Sequence, residues 1–126
     1  MTGLTGDFLN LDDHLGSRVS EETVRAIWDA GAEASPLATW ACPQGWLDDF
    51  TEDIKRIDVP TLILHGTADR ILPIDGQGRR LHAALPEARY AEIDGGPHVM
   101  CVTHAAEVNR EVLAFLHEAT PTAAAA

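Results

Sequence analysis

The run Val59-Pro-Thr-Leu-Ile-Leu64 most restricts what this chain can fold into. It is nearly all apolar, partly β-branched, of strand length, and without alternation. A strand of that kind has to be covered on both faces, as in a parallel sheet flanked by helices. Pro60 is tolerable only because it falls at the start. Gly66-Thr-Ala-Asp-Arg70 then reads as a turn, and Pro73 prolongs the loop. Gly78 to Leu85 reads as a short helix with Leu81, Ala84 and Leu85 inward, stopped by Pro86. Arg89-Tyr-Ala-Glu-Ile93 alternates like a strand, and Gly95-Gly-Pro97 breaks it. An amphipathic helix from Thr103 carries Val108, Val112, Phe115 and Leu116 on its apolar stripe, with Glu107, Arg110, Glu111 and Glu118 outside. The order β-loop-α-β-loop-α is that of a parallel α/β unit with right-handed crossovers.

In such sheets functional groups gather on the loops that leave the carboxyl ends of the strands. Asp69 follows the first strand and His98 the second. A carboxylate there can hold one imidazole nitrogen and leave the other free as a general base. Asp69 also suits a turn residue bonding its own backbone, and His98 a plain loop histidine. His65 is expected to pack at the strand end, His104 to open the last helix, and His117 to sit in its final turn, where a cation is favoured. His14 and His82 read as solvated. No HxxxH or HExxH occurs, and the pairs Asp12-Asp13 and Asp48-Asp49 lack companion ligands, so no metal site is expected. Gly76-Gln-Gly78 follows a proline-containing loop rather than a strand, unlike a phosphate loop.

Residues 1–50 have helical rather than strand periodicity. Ser20 suits an N-cap, Glu21 and Glu22 a first turn, and Val24, Ile27, Trp28 and Gly31 share one face. Ser35-Pro36 reads as a stop. Trp40, Trp46 and Phe50 follow in a segment broken by Pro43 and Gly45. This aromatic load suits either packing against a core or the wall of an apolar pocket. The candidate pocket residues are Trp28, Trp40 and Trp46, with Ile71 and Val99 near the two polar positions.

At 126 residues the chain is one domain at most. Twenty acidic against nine basic residues give −11 at pH 7, the wrong sign for nucleic-acid or anionic-membrane partners. Cys42 and Cys101 show no CxxC spacing and read as free thiols. No apolar run approaches the ~20 residues of a membrane span. The first sixteen residues carry acids where an export signal would be basic, which makes a cytoplasmic location the default. The run from Thr120 to Ala126 has no hydrophobic stripe and is expected to fray.

Taken in order, several segments carry a family resemblance. Asp49-Phe-Thr-Glu-Asp-Ile54, Ile57-Asp-Val-Pro-Thr-Leu-Ile-Leu-His-Gly66, Thr67-Ala-Asp-Arg70 and Leu72-Pro-Ile74 look like the later part of an α/β-hydrolase. Gly96-Pro-His98, Thr103-His-Ala105, Val108-Asn109 and Leu113-Ala-Phe-Leu116 continue the match. Together they resemble the cofactor-free haloperoxidases and their perhydrolase and aryl-esterase relatives, over about residues 5–118. Asn10-Leu-Asp-Asp-His-Leu-Gly16 through Trp28 looks like that group's helical cap. The implied architecture is the C-terminal portion of an α/β-hydrolase fold. A cap segment (1–48) precedes a βαβα portion of the core (49–119) with an incomplete sheet, and then the tail (120–126).

The resemblance implies that Asp69 is the triad acid and His98 the triad base. Val99 stands where relatives commonly carry glycine, so a branched side chain is expected to crowd the histidine loop. The family also needs a serine in a G-x-S-x-G turn and an oxyanion hole. Ser17, Ser20 and Ser35 all lack that context. The expectation is therefore the C-terminal part of an enzyme, with no turnover alone and either self-association, a rearranged cap or dependence on an N-terminal portion. The implied substrate is a small ester or carboxylic acid, attacked without metal, haem or flavin. A non-catalytic binding remnant is the other reading.

Overall fold

The computed structural model describes residues 4–12 and 18–119. His14, Ser17 and the run 120–126 lie outside them. The helices are α1 (Leu4–Leu9), α2 (Glu21–Ala32), α3 (Pro36–Ala41), α4 (Thr51–Ile54), α5 (Gly78–Ala84), α6 (Met100–Thr103) and α7 (Ala105–Ala119). The strands are β1 (Leu62–Gly66) and β2 (Arg89–Ile93), and 3-10 turns span Cys42–Leu47 and Ile74–Gly76. The two strands pair in parallel, from Leu62 opposite Arg89 to Gly66 opposite Ile93. The fold is thus α/β, with a helical cap and a two-stranded sheet among the described residues.

β1 lies later in the chain than the apolar run suggests. Proline has no N–H for a ladder, and pairing begins only where the Arg89 N–H donates to the Thr61 carbonyl at 2.9 Å. Val59 and Pro60 stay outside the strand. Nor is β1 covered on both faces. Ile63 and Gly66 are buried, but Leu62, Leu64 and His65 are only half-buried. Ile63, Leu64 and His65 line an open groove of about 430 Å³ together with Leu81 and Ala84 of α5. No further strand flanks β1 among the described residues.

The core is small: Ile63, Ile74, Ala88, Ile93 and Val108, joined by Leu9 from α1. Ion pairs tie the helices to the sheet around it. Arg79 of α5 grips Glu92 of β2 through two bonds of 2.8 Å. That grip and the Tyr90 hydroxyl hold the Glu92 carboxyl at about 2. Arg89 of β2 reaches Glu111 and Glu118 of α7.

Ser20 caps α2 as its type and position imply, its Oγ accepting the Thr23 N–H at 3.3 Å. Pro36 turns out to start a helix as much as stop one. α2 ends at Ala32, and Ser35 then caps α3 with its Oγ 3.4 Å from the Ala38 nitrogen. Proline fits that first turn because its missing N–H would have no partner there.

The C-terminal helix is two helices rather than one. His104 takes φ −123° and ψ 38° between α6 and α7, with its ring buried and its Nδ1 2.8 Å from the Thr103 Oγ1. It ends α6 and, as expected from the sequence, opens the last helix: its carbonyl accepts the Val108 N–H at 2.9 Å, the first bond of α7. On α7 only Val108 is fully buried, while Leu116 stands half in solvent because the two-stranded sheet is narrower than the stripe. His82 is not solvated. It stacks on Tyr90 with ring centroids 4.7 Å apart, and its Nδ1 is buried with no hydrogen-bond partner among the described residues.

Candidate active site

Because β1 and β2 are parallel, their carboxyl ends open on the same edge, and the two following loops are stitched together there. The Thr67 N–H donates to the Ile93 carbonyl and the Ala68 N–H to the Gly96 carbonyl, both at 3.0 Å. The Gly95 N–H donates to the Thr67 Oγ1 at 2.8 Å. Such close approach requires glycine. A Cβ on Gly66 would lie 2.1 Å from the Gly96 oxygen, and Gly95 sits at φ 68°.

This seam sets Asp69 beside His98. The carboxylate is nearly buried, and its two oxygens divide the work. Oδ1 accepts the Ile71 N–H at 2.9 Å and the Leu72 N–H at 2.8 Å, the Asx-type turn bonds that residue type suggests. Oδ2 lies 2.9 Å from the His98 Nδ1. A carboxylate only accepts, so Nδ1 carries the proton and the Nε2 of a neutral ring is left as the acceptor. Burial raises the Asp69 carboxyl. The Leu72 N–H, His98 and the Ile71 N–H together outweigh it, leaving the group below its ordinary value and ionised at neutral pH.

Three nearby groups escaped the sequence analysis. The His65 Nε2 donates to the Leu72 carbonyl at 2.8 Å and stands 3.5 Å from the same Asp69 Oδ2. Its spacing of four from Asp69 was the available signal, hidden by the reading of His65 as a packed strand end. Gly78 makes room for that ring, since a Cβ there would meet the His65 Cβ at 2.7 Å. Phe8 and the His98 ring meet near perpendicular, with centroids 4.9 Å apart, and the buried Asn10 donates from Nδ2 to the Ala68 carbonyl at 2.8 Å. Nothing in local periodicity announces contacts between residues so far apart in the chain.

Of the candidate pocket residues, Ile71 and Val99 lie at the site. Val99 donates its N–H to the Phe8 carbonyl at 3.1 Å and begins α6 with φ −95°, open to branched residues, so its backbone does not require glycine. Trp28, Trp40 and Trp46 stand elsewhere, on the solvent-facing surface, 52%, 72% and 76% exposed.

Parallel strands, crossover helix, cap and loop pair make this the C-terminal portion of an α/β-hydrolase fold. A crystal structure of a bromoperoxidase from Bacillus anthracis superposes on 90% of the chain with a TM-score of 0.82 and 38% identity, and 41% of that protein is covered. A putative non-heme chloroperoxidase from Synechocystis sp. is 46% identical over 110 residues, 40% of its own length. A bifunctional esterase/perhydrolase from Acinetobacter calcoaceticus is 33% identical over 102 residues, 37% of its length. No protein-family model matches. The chain is homologous to the non-heme haloperoxidase and esterase family of the α/β-hydrolase superfamily, and it spans about 40% of those relatives' length.

Proposed function

We propose that Asp69 and His98 are the acid and base of a cofactor-free serine hydrolase, and that this chain supplies the acid–base half of its site. The reading rests on one observation, the 2.9 Å contact between Asp69 Oδ2 and His98 Nδ1 at adjacent parallel strand ends. In the complete enzyme His98 Nε2 takes the proton of a serine hydroxyl as that oxygen attacks a small ester. It then returns the proton to the departing alcohol. Asp69 keeps the ring in the Nδ1–H tautomer and balances the imidazolium. Water cleaves the acyl-serine to the acid. Hydrogen peroxide as second substrate gives the peracid, which oxidises halide. The names of the relatives, esterase/perhydrolase and chloroperoxidase, support both outcomes.

The serine is not among these 126 residues, because no serine here stands in G-x-S-x-G. A missing triad nucleophile costs on the order of 10⁶ in rate. The chain alone is therefore expected to show no turnover of a chromogenic acetate ester above background. A burst of acyl-enzyme lost on His98→Ala would overturn that. When coding DNA directly upstream supplies G-x-S-x-G in frame, the joined polypeptide is expected to hydrolyse the ester. Asp69→Asn then lowers kcat by about 10⁴, the scale set by a wrong tautomer.

A second reading, a binding module, is favoured by the exposed apolar side chains Leu37, Trp40, Trp46 and Leu47. It gains if no such upstream sequence exists and the chain sediments as a defined complex.

A further inference from the structure

The segment 8–12 meets both loops of the acid–base pair at residues adjoining the pair itself. The Phe8 carbonyl accepts the N–H of Val99, next to His98, and the Phe8 ring packs near perpendicular to the imidazole. Asp12 pairs with Arg70, next to Asp69, at 2.7 Å. Between them Asn10, with no solvent exposure, donates to the carbonyl of Ala68, on Asp69's other side. The Ala68 N–H is already committed to Gly96 on the histidine loop. The Ala68 carbonyl belongs to the same rigid peptide plane as the Asp69 nitrogen, so holding it aims the Asp69 side chain.

Asn10 suits this place for two further reasons. Its backbone sits at φ 49°, a region open to asparagine and unfavourable for most other residues. Its Oδ1 is buried with no hydrogen-bond partner among the described residues. A buried amide satisfied on one side only is an unfavourable choice for filling space. An apolar residue would remove the orphaned oxygen but leave the Ala68 carbonyl unbonded.

Resting on the acid–base reading above, we propose that Asn10 is a positioning residue. Its amide, through Ala68, holds Asp69 in line with His98. It touches neither substrate nor proton. The test is the tautomer of His98, read from its ring nitrogen chemical shifts in the 126-residue chain. The unsubstituted chain is expected to show the Nδ1–H form, and Asp69→Asn to remove that preference. Asn10→Gly keeps the left-handed backbone but deletes the amide, and Asn10→Asp keeps shape but cannot donate when ionised. Both are expected to lower the Nδ1–H to Nε2–H ratio about five-fold, the scale of one hydrogen bond. Asp7→Ala, an exposed change on α1, leaves it unaltered.

An unchanged ratio in Asn10→Gly overturns the proposal. So does retention of the ratio in Asn10→Gly with loss in Asn10→Ala, which would assign the effect to the backbone alone. Loss of the folded α7 signals in both Asn10→Gly and Asn10→Asp also overturns it, because Asn10 would then act on the whole fold. Should the unsubstituted chain show no preference dependent on Asp69, the acid–base reading fails first, independently of Asn10.

Discussion

Between Ser20 and Lys55 four helical segments obey local rules and bury no residue. From Leu62 to Ala119 the same kinds of residue surround a core and a seam of cross-loop hydrogen bonds. The first region is held by bonds of short reach: Ser20 to Thr23, Ser35 to Ala38, Asp49 to Thr51, Lys55 to Glu52. The second is held by bonds that cross the chain, such as Arg89 to Glu118 and Asp69 to His98. Caps and propensity suffice to make a helix. Burial needs a second surface, and α2 has little to face.

The comparison is broken most severely by Gly66→Ala. Its Cβ would strike the Gly96 carbonyl, so a loss of about 3 kcal/mol or more is expected in urea unfolding. The counterpart in α2 is Gly31→Ala, with nothing within 4 Å of the new Cβ. It is expected to stabilise by about 0.5 kcal/mol, because glycine is a poor helix former. A loss at Gly31 as large as at Gly66 would erase the distinction.

Ile93→Ala, in the core at the end of β2, is expected to cost about 2–5 kcal/mol by transfer and cavity terms. Leu47→Ala, at a residue 82% exposed, is expected to stay within about 0.5 kcal/mol. A large loss at Leu47 would mean that the cap surface is covered in solution, by a second copy or another chain.

Acid should also act mainly on the second region. Burial, helped by Arg18, lowers the His104 imidazole against the opposing charges of Glu107 and Asp94. The unfolded chain therefore takes up that proton first, and stability declines as pH falls from the ordinary histidine value toward the lowered one. Asp69 is depressed as well. Its contribution is intact above the ordinary carboxylate value and disappears as pH drops through the folded one. Two successive losses are expected in Tm against pH, and His104→Gln should flatten the higher. A His104→Gln profile identical to that of the unsubstituted chain would contradict the assignment.

The smallest effect is optical. All three tryptophans lie at positions 28, 40 and 46, so their fluorescence reports the cap alone. Emission is expected to be solvent-like and quenched by acrylamide. Protected, blue-shifted emission that reddens on dilution would show that association covers the cap.

Much was legible in the sequence because it rests on neighbours within a turn or on a repeating pattern. The β-loop-α-β-loop-α order, the Ser20 cap and the loops carrying Asp69 and His98 all follow from such patterns. The ends of β1 were misplaced because an apolar run does not state where its partner starts. The break between α6 and α7 at His104 leaves no mark on a periodic stripe, because a single buried imidazole does not alter the spacing of the apolar residues around it. The stacking of His82 on Tyr90 and the reach of His65 to Asp69 depend on elements brought together only by folding.

Sequence alone determined the order of strand and helix from residue 59 onward, though not where each element ends, and that a carboxylate and an imidazole would leave parallel strands as loop residues. Side-chain type and spacing act locally, within a few residues, and are written in the chain. Tertiary structure alone decided that Asp69 Oδ2 meets His98 Nδ1, that Asn10 holds Ala68, and that three tryptophans face solvent. Those outcomes depend on which surfaces meet, and a hydrogen bond between residues 29 or 58 positions apart exists only once the chain between them has folded.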